Sequence, residues 1–155
     1  MFFGKKTHVD RGAARPAEFF HVTSSGLHSR IDCLTERADG SFAVLRLLLT
    51  RDFAQKASVA LEATVEKYQA AKGHIRVGRE PLPETPRVSS QEERAVNMLK
   101  VSYAEDALFL EFALVLNTAE QMSEYDRFML VSSVGLAPSL LAGLKSSLSP
   151  GRGSG

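Results

Sequence analysis

The stretch SYAEDALFLEFALVLNTAEQ (residues 102–121) decides how the last third of this chain is read. Ser102 stands three residues before Glu105, the spacing with which a serine and a glutamate cap a helix N-terminus reciprocally. Behind it Leu108, Phe109, Phe112, Val115, Leu116 and Ala119 recur at intervals that suit one stripe of an α-helix. Leu110, Ala113 and Leu114 widen that stripe, so such a helix must be buried on more than one side. Upstream, Arg94 to Val101 has β-leaning residues and the length of one strand. Downstream, Gln121-Met122-Ser123 makes a turn, and Ser123 with Asp126 opens a second helix carrying Phe128, Leu130, Val131 and Val134. That helix is expected to continue past Pro138 as Leu140 to Leu148. Residues 94–148 are therefore predicted as strand, helix, helix.

Working back toward the N-terminus, Pro81, Pro83 and Pro86 remove backbone donors and hold their predecessors extended. Residues 74–92 are expected to form a proline-rich crossover with no regular element. Before it, Phe53, Ala57, Ala60, Leu61, Val65 and Tyr68 mark a helix over Asp52 to Ala71, stopped by Lys72-Gly73. Residues 42–72 as a whole are read as the helical N-terminal part, although Leu47-Leu48-Leu49 fits a strand equally well, so residues 42–49 stay open. Asp39-Gly40 signals either a hairpin or the loop before a helix capped by Ser41. Phe19 to Gly26 fits a short strand ending in a turn. Residues 1–20 read as a flexible basic arm and the Gly/Ser-rich residues 149–155 as a disordered tail. The expected fold is mainly α with a few short β-strands, in one domain over residues 21–148.

Composition narrows the function classes. The chain has 155 residues, 44% hydrophobic and 24% charged, the profile of a single soluble domain. Nineteen Lys/Arg against eighteen Asp/Glu leave +1, so total charge names no partner. Cys33 is the single cysteine, which excludes an internal disulfide and any multi-cysteine zinc module. His21, His28 and Cys33 lack a fourth ligand for a zinc site. Val22 to Gly26 lacks the lysine of a phosphate loop, and Glu105 and Asp106 suit the first turn of a helix better than acid/base work. No catalytic residues, metal or cofactor are expected, so the protein is not read as an enzyme. The uncharged run Phe128 to Leu144 is broken by Gly135, Pro138 and Gly143, and the N-terminus lacks the apolar core of a signal peptide. A cytoplasmic protein that does not enter membranes is expected.

The strand-helix-helix order is that of a ribbon-helix-helix DNA-binding unit, in which the strand pairs with its copy from a second protomer and the ribbon enters the major groove. The segments NMLKVSYA (residues 97–104) and VLNTAE (residues 115–120) sit at the corresponding positions. On them, residues 88–148 resemble the AcaB-like transcriptional regulators of conjugative plasmids and integrative elements. The resemblance implies a homodimer or higher oligomer that binds duplex DNA and regulates transcription. Asn97 can pair with adenine, while Arg94 and Lys100 can address guanine or the backbone. Arg76, Arg79 and Arg87, with Lys5, Lys6, Arg11 and Arg15, can supply phosphate contacts. The dimer interface is expected at Leu99, Leu108, Phe109, Phe112, Val115, Leu116, Phe128 and Val131. The competing expectation is a non-catalytic helical adaptor of a larger assembly, without nucleic acid.

Overall fold

The structure, a computed structural model, describes residues 13–76, 85–117 and 122–148. Alternation of apolar side chains builds its first sheet. Strands β2 (Phe19–Ser25), β3 (His28–Glu36) and β4 (Phe42–Thr50) pair antiparallel, with tight turns at Gly26 and Gly40. Both glycines have positive φ, 63° and 86°, which a side chain would strain. Along β3 and β4, Ser29, Ile31 and Cys33 share one face with Leu45, Leu47 and Leu49, and all six are buried.

Helix α1 (Arg51–Lys72) follows β4 directly. The Thr50 hydroxyl accepts from the Phe53 amide as its N-cap, and Gly73, at φ 92°, ends it. Its buried face carries Phe53, Ala54, Ala57, Leu61 and Tyr68. The chain returns as β5 (Val88–Ala95), parallel to β4, so the first sheet runs β2-β3-β4-β5.

A meander follows: β6 (Met98–Ala104), β7 (Ala107–Asn117) and β8 (Met122–Ser133), all antiparallel. The two-residue strand β1 (Arg15–Pro16) adds parallel to β8, giving a second sheet β1-β8-β7-β6. A short 3-10 turn (Val134–Leu136) then leads into α2 (Ala137–Ser147), with Pro138 in its first turn.

Two crossings join the sheets. The Ala17 amide donates to the Val131 carbonyl and the Glu18 amide to that of Leu34, so the chain passes from β8 to β3 within two residues. At the other side the Val96 amide donates to Leu48 and the Asn97 amide to Ala113. One continuous core results, in which Ile31, Leu45, Leu47 and Leu49 meet Leu108, Leu110, Phe112 and Leu130 with Leu61 and Leu144 of the helices. The two helices pack against each other. Arg51 donates to the carbonyls of Ser147 and Leu148 at the end of α2, while Lys145 pairs with Glu62 at 2.9 Å. Buried Ser29 and Ser147 hydroxyls, 3.0 Å apart, fasten α2 to β3.

Several sequence expectations are overturned. The chain is a mostly-β α+β protein and not mainly α: eight strands in two sheets stand beside two α-helices among the described residues. Residues 107–117 are a central strand, so no strand-helix-helix unit forms and no ribbon-helix-helix fold is present. Leu108, Leu110 and Phe112 point to the core, while Phe109 and Glu111 lie on the opposite face. That opposite face carries one charge, Glu111, itself 4% exposed and paired with Arg127. With no exposed polar residue marking the outer side, an alternating strand looks like an over-wide helical stripe.

The supposed capping box Ser102–Glu105 is the start of the β6–β7 hairpin, with Glu105 at φ 55°. Ser123 lies within β8 and opens no helix. Residues 42–50 are strand, and the helix within 42–72 begins at Arg51. Val88–Ala95 is a regular strand inside and beyond the segment expected to hold none. Arg94 to Val101 is two strands in different sheets, divided at Val96-Asn97. Within the expected arm, β1 and the start of β2 are ordered, while residues 1–12 and the tail 149–155 lie outside the described residues.

Candidate functional site

Where the first sheet faces β1 and β8, a cleft of about 430 Å³ remains open. Its floor is Cys33 of β3, Leu45 of β4 and Leu130 of β8; its walls are Arg15 and Pro16 on one side and Ser90, Gln91 and Glu92 on the other. Thr35 and Arg37 stand at the end of β3. Five strands contribute, and the polar residues come from three separate stretches, Arg15, Thr35 with Arg37, and Ser90-Gln91-Glu92.

A bulge in β5 sets the polar wall. The pairing shifts register between Phe42 and Ala43, so that Phe42 faces Val88 but Ala43 faces Ser90. Ser89 is the extra residue, and its hydroxyl donates to the Phe42 carbonyl. Beyond the bulge Ser90, Glu92 and Arg94 lie beside Ala43, Leu45 and Leu47, on the inner face. Without that inserted residue the other set, Ser89, Gln91 and Glu93, would face inward.

The charges on this wall are linked. Glu92 takes Arg15 at 3.0 Å and Arg94 at 2.6 Å. Hydrogen bonds from Arg15, and then from Arg94, hold its carboxyl below the usual carboxylate range. Two guanidiniums around one carboxylate leave a net positive charge. Arg37 adds another: its Nη2 donates to the Ser90 hydroxyl at 3.2 Å, and among the described residues no carboxylate pairs with it. The cleft thus joins an apolar floor to an excess of cationic, hydrogen-bond-donating groups.

The floor is chemically quiet. Burial, with Asp32 nearby, pushes the Cys33 thiol far above its usual range, which removes the thiolate needed for nucleophilic work. Among the described residues no group of three or more His, Cys, Asp or Glu side chains could hold a metal ion. Nor is any helix there long and apolar enough to cross a membrane.

The residues expected to touch DNA are dispersed. Arg94 is spent on Glu92 and stacks its guanidinium 5.2 Å from the Phe128 ring centre. Asn97 closes the crossing between sheets, donating to the Val115 carbonyl at 2.8 Å and accepting from its amide at 2.7 Å. Lys100 is exposed on β6, opposite Glu111 in register. Arg76 follows α1, its carbonyl against Gly135, whereas Arg87 donates to the Asp39 carbonyl at the β3–β4 turn. Arg79 lies outside the described residues. Arg94 comes nearest the cleft through Glu92, while Arg87 stands next to the bulge, where the Phe42 amide donates to its carbonyl.

The residues expected at a dimer interface fall on two faces. Leu108, Phe112 and Phe128 are buried in this chain's own core, and Leu99 packs against it. Phe109 and Val131 are half-buried on the other face of the second sheet, with Val115 half-buried and Leu116 45% exposed farther along β7. Sequence reasoning missed Thr35, Arg37, Ser90, Gln91 and Glu92 altogether. No local signal marks them, because pairing between distant strands is what assembles them. Comparison with protein-family models finds no match for the chain, and comparison with curated proteins finds none at a significant level.

Proposed function

We propose that the protein is a non-catalytic binding module whose site is the cleft between the sheets. Its ligand carries an anionic group for Arg37 and an apolar portion for the Cys33–Leu45–Leu130 floor. The observation that carries this reading is a guanidinium whose partner among the described residues is a hydroxyl, beside an Arg15–Glu92–Arg94 network that is itself net positive. What favours binding over catalysis is the absence of an activated nucleophile from the cleft: its thiol is held protonated.

The test is a titration followed by backbone NMR, with hexanoate as the probe and hexanamide as its uncharged counterpart. Hexanoate should shift the resonances of residues 33–37, 43–45 and 90–92, hexanamide should do so far less, and Arg37→Ala should weaken the carboxylate about tenfold. No shift at the cleft with hexanoate would refute the reading. Duplex DNA, titrated at low and high salt, tests the competing proposal of a DNA-binding regulator. Steeply salt-dependent binding, lost in an Arg76→Ala/Arg87→Ala/Lys100→Ala variant, would put nucleic acid in place of the cleft ligand.

A further inference from the structure

Among the described residues the two sheets have four edges, and they are treated differently. Strand β1 is two residues long. Strand β6 packs against α1, and β2 against α2, where an added Cβ on Gly143 would lie 2.9 Å from Val22. Strand β5 pairs with β4 alone, and among the described residues no helix packs along it. It is eight residues long, and six of those residues are exposed. In a parallel pair every second residue turns its amide and carbonyl away from the partner, and among the described residues no other strand takes up those groups of β5. This open edge is also the polar wall of the cleft.

Resting on the binding role proposed above, we infer that the ligand is an extended acidic segment of another polypeptide, added as a strand to the free edge of β5. An added strand shares its alternate side chains with the faces of its neighbour. Those beside Ser90 and Glu92 would overhang the cleft. At the Ser90 level an acidic side chain meets Arg37, whose charge no carboxylate among the described residues compensates. Glu92 does not repel it strongly, because Arg15 and Arg94 already hold that carboxylate. On the outer face Glu93 stands beside Arg46 in the β4–β5 register. Charge complementarity therefore selects an acidic partner.

The experiment uses the full chain and the heptapeptide acetyl-TVTETVT-amide. The peptide should bind, and β5 amides should gain hydrogen-exchange protection. Replacing its glutamate with glutamine, or Arg37 with Ala, should weaken binding about tenfold. Methylating alternate peptide nitrogens along one edge should abolish binding, while methylating the opposite edge should leave it. If hexanoate binds in an Arg37-dependent way but the peptide leaves β5 amides unprotected, strand addition is refuted and the cleft reading stands. Equal binding of the two methylated peptides would refute it in the same way. If neither hexanoate nor peptide binds, both readings fall together. Concentration-dependent dimerisation through β5, seen by light scattering with protection of the same amides, would make a second copy the occupant and overturn the inference.

Discussion

The gap between the two sheets is closed in two different ways. At one end α1 and α2 bring Leu61 and Leu144 against Leu47 and Leu49, and these four side chains are at most 1% exposed. At the other end no helix of the described residues intervenes, and the sheets face each other across Arg15, Glu92 and Arg37. The first end is a packed interior whose energy comes from burial. The second has net charge, open volume and weak pairings, so it adds little to stability. Residues that hold the fold and residues free to meet a ligand are thereby separated in space.

Substitutions sharpen the contrast, beginning where the effect is greatest. Leu61→Ala at the helix end should cost about 2–5 kcal/mol, measured by urea unfolding, because its neighbours cannot collapse into the void. A cost under about 1 kcal/mol would mean that the helices contribute no rigid packing there. Gly135→Ala comes next. Its Cβ would lie 2.7 Å from the Arg76 carbonyl oxygen, a backbone atom that cannot swing aside, so roughly 1–3 kcal/mol should be lost.

The cleft should respond more mildly. Glu92→Gln should cost about 0–1 kcal/mol at neutral pH, as is usual for partly exposed ion pairs. Its diagnostic is the pH dependence. The folded carboxyl is held below its ordinary range, so its stabilising contribution is complete above the unfolded-state value and is lost as pH falls through the folded one. Unfolding midpoints taken from about pH 6 down to about pH 3 should fall less steeply in Glu92→Gln than in the parent. Parallel curves would show that Glu92 is not held by its arginines. Arg37→Ala should alter stability least, within about 0.5 kcal/mol, while changing carboxylate binding most. A large loss of stability in that variant would erase the distinction between the two ends.

How much of this was readable in advance differs between α1 and β7. The α1 stripe alternates with Gln55, Lys56, Glu66 and Lys67, all exposed, and Gly73 supplies the stop, so solvent marks one side of the helix and the period is unambiguous. In β7 both faces are covered or apolar, and its one charge is buried against Arg127. Periodicity carries no information when neither side meets water. The hairpin turn at Glu105, which lacks glycine, imitated a helix cap for the same reason: serine and acid residues serve both. The cleft was beyond reading altogether, since Ser90 and Glu92 face inward only through the register shift at Ser89. The single local hint was Arg15, noticed as one basic residue among several near the N-terminus.

Strand β1 has a consequence for synthesis. Arg15 and Pro16 leave the ribosome well before their partners Leu130 and Val131 in β8. Until β8 has emerged, the second sheet lacks the members that enclose Leu108, Leu110 and Phe112 on this side. Nascent chains must therefore wait with greasy strands uncovered, and such long-range closure is slow and prone to clumping. A cell making this protein would be expected to need holding factors most until β8, Met122–Ser133, has been made.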